Sequence, residues 1–429
     1  MTGSVYLEGA RGAASRGAGL TEKGPARQLS EADASITAMT DMRRTPPRPL
    51  DVTALFPELA PLARTATRLH PRPGAPSPHD SSIGGPLLWP TDEPWPYCEG
   101  PHQWARSEKP HSPDDVRQLR RIKKVAKYRP VDDAGLTVFT PEERATLERI
   151  RGGRPHPEGP VPLLPLAQLY ARDIPDLRPP GGDSTDLLQV LWCPCDHPPD
   201  KFMPRTVLFW RRAAEVTDVL ATPPQPSAVQ FDEYVPEPCL LAPEQITEYP
   251  HFMELSEELR ARIQDWSRWE VAGTAVDSSF QESPSEFYED HLSVAPGWKV
   301  GGWASWGPTD PVPRPCPVCG TESNPLLTIA TFEWDDDTRG WVENEERPPV
   351  SPSFTALDPG HQRLIDFFRA KGMDVQERGR VSRSIREIVP QPPDLAPRQP
   401  TEVQIASGYR QQLYLCPVSA EHLHIELMQ

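Results

Sequence analysis

The sequence predicts a mainly β fold with some helices, an α+β chain in which one β-rich unit occurs twice in tandem. Three observations predict it. Proline accounts for 56 of 429 residues, and a residue that fixes φ and donates no backbone hydrogen bond cuts helices and ladders into short pieces. That argues against a helical bundle and against a doubly wound parallel sheet. The apolar runs are short and bounded by proline, as in buried strands. Four blocks of residues recur in one order, and recurrence in order separates a duplication from chance likeness.

Along the chain, residues 1–48 are rich in Gly, Ala, Ser, Arg and Thr without a sustained period, and read as a disordered N-terminal segment. Met39 and Met42 stand just before the ordered-looking part and are alternative starts to Met1. Order is expected near Asp51–Phe56, where Asp51 suits the cap of a short helix. Pro71 to Pro78 reads as a proline-rich linker. The first unit is expected over 51–235 and the second over 236–429.

The blocks are these. Ile83-Gly84-Gly85, Trp89 and Pro90-Thr91-Asp92 parallel Val300-Gly301-Gly302, Trp306 and Pro308-Thr309-Asp310. Cys98 follows the first Thr-Asp and Cys316 the second. Pro162 to Leu169 is set against Pro325 to Phe332, and Leu187 to Pro194 against Gln412 to Pro417. Paired glycines permit positive φ or close backbone approach before a strand. Capping patterns predict helices from Ser256, with Leu259, Ile263 and Trp266 on one face, from Thr140, and from Asp358-Pro359. The Thr140 helix belongs to an insertion at 104–160. Over 104–154 there are 13 Lys/Arg against 8 Asp/Glu, a net of +5, so the remainder of the −16 chain carries −21. Two readings of the insertion are open: a solvated helix pairing with the acidic body, or an RNA contact.

An acidic chain repels nucleic acid as a whole, and its charge chiefly keeps it soluble. No apolar stretch approaches the ~20 residues of a membrane span, and residues 1–38 lack a secretory apolar run. A cytoplasmic location follows as the expectation, with seven cysteines serving as free thiols or metal ligands rather than disulfides.

Each unit offers an early and a late pair of zinc-ligand types. In the first these are Cys98 with His102 and Cys193 with His197, Cys195 being an alternate. In the second they are the CxxC knuckle Cys316-Cys319 and Cys416 with His422, His424 being an alternate. Zinc takes four thiolate or imidazole ligands tetrahedrally, and a full protein set leaves no open position for substrate, so the expected ion is structural. Buried cysteines serving as small hydrophobes are the competing reading. No GxGxxG, phosphate-binding loop, HExxH or GxSxG pattern occurs, and no catalytic residue is nominated. Gly181 to Ser184 reads as a turn, and Glu333 to Asp337 as a hairpin loop of solvated acids. Trp192, Trp210, Trp303 and Trp306 read as core.

Gly84-Gly85-Pro86-Leu87-Leu88-Trp89-Pro90, Leu166-Ala167-Gln168-Leu169 and Leu187-Leu188-Gln189-Val190 resemble the YwqG-like bacterial family of unknown function. The Gly-Gly…Trp, CxxC and Leu-Leu features are distantly similar to eukaryotic programmed cell death protein 2 relatives, linked to ribosome assembly. The resemblance covers roughly 51–429 without the insertion. It implies a duplicated β-rich fold, no established catalytic activity and a role in protein or RNA-particle handling, and the expected function is non-enzymatic binding or scaffolding with a protein partner. An RNA- or ribosome-associated factor and a toxin-neutralising partner are the alternatives, with a hydrolase behind them. His102, His197 and His422 stand where the eukaryotic relatives carry cysteines.

Overall fold

The computed structural model describes residues 44–104, 109–129, 137–182, 184–199, 202–346 and 399–429. They belong to one unit, Met42–Gln429. The first half begins with α1 (Val52–Leu55), whose Asp51 cap accepts the Thr53 N–H. It continues with β1 (Arg64–Arg68), β2 (Arg72–Pro73), β3 (Ser82–Ile83), β4 (Tyr97–Cys98), α2 (Pro113–Ala126), α3 (Pro141–Arg151), β5 (Val161–Pro162), β6 (Leu164–Tyr170), β7 (Leu187–Trp192) and β8 (Thr206–Arg211). The second half holds β9 (Cys239–Leu240), β10 (Glu244–Glu248), α4 (Glu257–Gln264), α5 (Pro284–His291), β11 (Lys299–Gly301), β12 (Asn324–Ala330), β13 (Arg410–Leu415) and β14 (Ile425–Met428). The fold is mixed α and β, mainly β. Among the described residues no helix is long and apolar enough to cross a membrane.

Two six-stranded antiparallel sheets dominate, in the orders β10-β1-β11-β12-β13-β14 and β2-β9-β3-β6-β7-β8. The first strand of each half lies in the sheet formed by the rest of the other half. β1 pairs with β11, and β9 pairs with β3. Exchanging β1 with β9, β2 with β10, β3 with β11, β6 with β12, β7 with β13 and β8 with β14 converts one order into the other. Registers agree as well. Arg68 opposes Lys299 and Glu244, while Leu240 opposes Ser82 and Arg72. Both sheets feed one apolar core, which includes Leu166, Leu188, Val190 and Trp192 from one and Val300, Leu327, Ile329 and Leu413 from the other. A separate apolar cluster joins α1, α4 and α5 through Phe56, Leu259, Ile263, Trp269 and Phe287.

The ladder corrects one block of the sequence alignment. β6 and β7 carry a register shift between Pro165 and Ala167, and β12 and β13 carry one between Pro325 and Leu327. Pro165 therefore corresponds to Pro325, three residues from the alignment read off the sequence, which set Pro162 there. Runs of Pro and Leu look alike after such a slip, and only the bulge, where two residues face one, sets the register. The stretch around Pro71 is also more than a linker, since β2 lies in it. Ordered contacts begin ahead of Asp51: Arg68 Nη1 donates to Thr45 Oγ1 at 2.7 Å, and the Arg48 guanidinium lies 3.0 Å over the Trp341 ring.

Local signals otherwise took effect where the residues stand. Thr140 and Glu143 form a reciprocal capping box on α3, and the Ser256 side chain caps α4. Leu259 and Ile263 are buried, while Trp266 has left the helix for a 3₁₀ turn. The helix expected after Asp358 lies outside the described residues. Gly302 has φ +74°, and a Cβ there would sit 2.2 Å from Glu248 Oε2. That close approach lets the Trp303 N–H donate to Glu248 Oε2 at 2.8 Å. The same buried carboxylate takes the Lys299 ammonium at 2.6 and 2.7 Å, and so links β10 to β11 across β1. Trp192 and Trp306 are buried, and Trp210 and Trp303 are partly so.

Candidate metal centres

Three strand ends and one tight turn deliver the two Cys/His groups. Cys98 ends β4, where it pairs with Val161 of β5. Gly100 follows at φ +88° and turns the chain so that His102 Nε2 returns to 3.4 Å from Cys98 Sγ. Cys193 follows β7, held by its N–H to Arg205 O at 2.9 Å. Its sulfur lies 3.3 Å from His102 Nε2, and His197 Nε2 lies 3.6 Å from Cys98 Sγ. The two ligand loops are tied directly, with Gln103 N–H donating to Asp196 O at 3.1 Å. Gln230 bridges them again, accepting from Asp196 N–H at 2.7 Å and donating to Gln103 O at 2.9 Å. Among the described residues His197 Nδ1 is buried without a hydrogen-bond partner, and no second bond from them sets this ring's tautomer.

In the second group the knuckle closes through Cys316 N–H to Thr321 O and Gly320 N–H to Cys316 O, both 2.8 Å, with Gly320 at φ +74°. Cys416 follows β13. Cys319 Sγ lies 3.4 Å from Cys416 Sγ. His422 Nδ1 lies 3.3 Å from Cys416 Sγ and 3.5 Å from Cys316 Sγ. The N–H groups of Val318 and Val418 point at the Cys316 and Cys416 sulfurs at 3.4 Å. The longer spacing from Cys416 to His422 than from Cys193 to His197 accompanies a change of nitrogen, Nδ1 here and Nε2 there.

In each group the four ligand atoms all lie within 4.8 Å of one another. Zinc bond lengths place tetrahedral corners about 3.6 Å apart for N···S and about 3.8 Å for S···S. A thiol–imidazole hydrogen bond joins two atoms, whereas mutual approach of four is what one cation requires. Both groups are therefore close enough to hold a metal ion. Hydrogen bonding with Cys193 pushes the Cys98 thiol up, and Cys195 does the same to Cys193. Hydrogen bonding with Thr321 brings the exposed Cys319 down to about 6. The alternates are not members of the two groups. Cys195 is buried outside the first group. His424 Nε2 meets Thr206 Oγ1 at 2.8 Å and Glu426 Oε1 at 3.1 Å, joining β14 to β8.

A third cluster, His70, Glu333 and Glu343, is not legible in the sequence. The expectation that Glu333 is a solvated loop acid is wrong, because it is buried. Burial pushes its carboxyl up to about 7. Burial also opposes ionisation of Glu343, but the hydrogen bond with His70 and the charges of His70, Arg68 and Arg72 outweigh it and hold that carboxyl well below its usual range. His70 Nδ1 meets Glu343 Oε1 at 2.5 Å, and Nε2 meets Glu244 Oε2 at 3.1 Å. So short a His–carboxylate contact is a charge-assisted hydrogen bond. With Arg68 and Arg72 alongside, the cluster is a buried ion network joining the ends of β1, β10 and β12. A cleft of about 400 Å³ is lined by Glu93, Trp210, Arg211 and Glu215, among others. Its charged groups are used against each other, the Arg211 guanidinium donating twice to the Glu93 carboxylate at 2.5 and 2.7 Å.

No protein-family model matches the chain, and no curated protein matches it. The YwqG-like resemblance stands on the quoted motifs alone.

Proposed function

We propose that the chain is a non-enzymatic binding or scaffolding protein of the YwqG-like type, with a structural zinc ion in each Cys/His group. The observation that carries this reading is the pair of four-ligand sets, Cys98/His102/Cys193/His197 and Cys316/Cys319/Cys416/His422, at corresponding ends of the two sheets. A catalytic zinc keeps a position open for water, whereas four protein ligands fill the tetrahedron. In each group the ligands join loops about a hundred residues apart, 99 for Cys98 to His197 and 106 for Cys316 to His422. An ion held there pins strand ends that the chain alone connects loosely.

The matching strand orders and registers further support an origin in duplication of one unit, followed by exchange of the early strands between the two sheets. Elemental analysis of protein purified without chelator tests the metal reading: two zinc ions per chain are expected. Metal-free protein of full stability would overturn it. Pull-down with mass spectrometry should return a protein partner.

A further inference from the structure

The basic insertion is a surface whose charges divide into two sets. One set builds the insertion and docks it. Arg120 donates to Val235 O at 2.6 Å and Asp232 O at 2.8 Å. Arg149 and Arg154 converge on the buried Asp115 carboxylate at 2.6 and 2.7 Å, tying α3 to α2. Burial opposes ionisation of that carboxyl, but the two arginines prevail and hold it at about 2. Arg117 pairs with Asp114, and Arg129 with Glu143.

The second set is Arg121, Lys123, Lys124 and Lys127. All four are exposed, and among the described residues none has a carboxylate partner. Of the two sequence readings, a solvated helix with paired charges accounts for the first set, whose partners are mostly acids of the insertion itself, and leaves the second uncovered. Lys123 and Lys124 suit the C-terminal end of a helix dipole. That does not account for Tyr128, 81% exposed just past the helix, or for Val125, 54% exposed between the lysines. An exposed phenol within seven residues of four exposed, unpaired cations supplies the two parts that bind single-stranded polynucleotides, cations that track phosphates and an aromatic face that stacks an unpaired base. Duplex DNA has no free base face to offer the ring, and an acidic protein offers no regular phosphate track for the four cations.

The geometry points to a single-stranded nucleic-acid contact on the exposed end of α2, made by Arg121, Lys123, Lys124, Lys127 and Tyr128. It supplies a partner for the binding role proposed above and does not depend on metal occupancy, so either reading can fail alone.

The test uses the full chain and fluorescein-labelled 12-nucleotide single-stranded RNA and DNA, read by anisotropy from 50 to 200 mM KCl. Four phosphate contacts predict a log–log salt slope of about −3, or a roughly 50-fold loss of affinity across that range. Lys123→Glu/Lys124→Glu should at least halve the slope. Tyr128→Ala should weaken binding about fivefold or more with the slope unchanged. The control Arg178→Glu/Arg205→Glu, at exposed sites elsewhere, makes the same change in net charge and should cost less than twofold. Circular dichroism confirms that these surface variants fold. A stronger RNA than DNA response would name RNA as the source, and equal responses any single strand. No binding of either strand at 50 mM KCl overturns the inference. So does a control as damaging as the lysine pair, or polyglutamate competing as well as unlabelled RNA.

Discussion

Removing Cys193 tests whether the first Cys/His group pins the fold. The residue is buried, and its sulfur meets His102 Nε2 91 positions away in the chain. The outermost pair of the group, Cys98 and His197, is separated by 99. A cross-link closing a loop of that length removes chain entropy worth about 4.5 kcal/mol from the unfolded state. This is a ceiling, because the β6–β7 ladder already holds much of the loop. Cys193→Ser is expected to lose one ion per chain and about 2–4 kcal/mol of unfolding free energy, within the range known for such links. The assay pairs elemental analysis with urea denaturation followed by tryptophan fluorescence, with Trp192 adjacent and buried. Cys239→Ser serves as control: that thiol is buried outside both groups and bonds Pro400 O at 3.3 Å. The reasoning is refuted if Cys193→Ser keeps the wild-type ion content, or if both serine variants shift the midpoint equally.

Other outcomes follow from the buried charges and the glycine approach. Glu248→Ala strands the Lys299 ammonium and two backbone N–H groups, and should cost about 3–5 kcal/mol in urea denaturation, most of it recovered in Glu248→Gln/Lys299→Met. Gly302→Ala meets both a positive φ and the Glu248 carboxylate, and should cost about 2 kcal/mol or more. Gly307→Ala, with open space and no positive φ, should be within about 0.5 kcal/mol of wild type. Glu333, raised from 4.5 to about 7, keeps its proton when folded after the unfolded chain has lost it. Stability should fall between pH 4.5 and 7 and level off above, and Glu333→Gln should reduce that slope in denaturation series. An unchanged slope would show that Glu333 titrates normally.

Short-range features were readable because their causes are local. Thr140 and Glu143 cap a helix with atoms three residues apart. Gly301 and Gly302 announce a backbone that other residues adopt at a cost. The ligand pairs were readable since cysteine and histidine are scarce enough for an early and a late pair in each unit to stand out. Glu333 was misread because acids in a row resemble a solvated loop until Arg68 and His70, distant in sequence, arrive beside them. The three-residue slip between β6 and β12 had a similar origin, in that leucine runs carry little positional information.

The sequence by itself determined the β-rich class, the capped helices, the paired glycines and the eight residues that could meet around two cations. Only the tertiary structure decided that β1 and β9 cross into opposite sheets, that His70, Glu333 and Glu343 share a buried network, and which cations of α2 face water. The reason is physical. Backbone ladders pair any strands of suitable length, so the choice among partners lies in the packing of the whole core, which no local stretch of chain records.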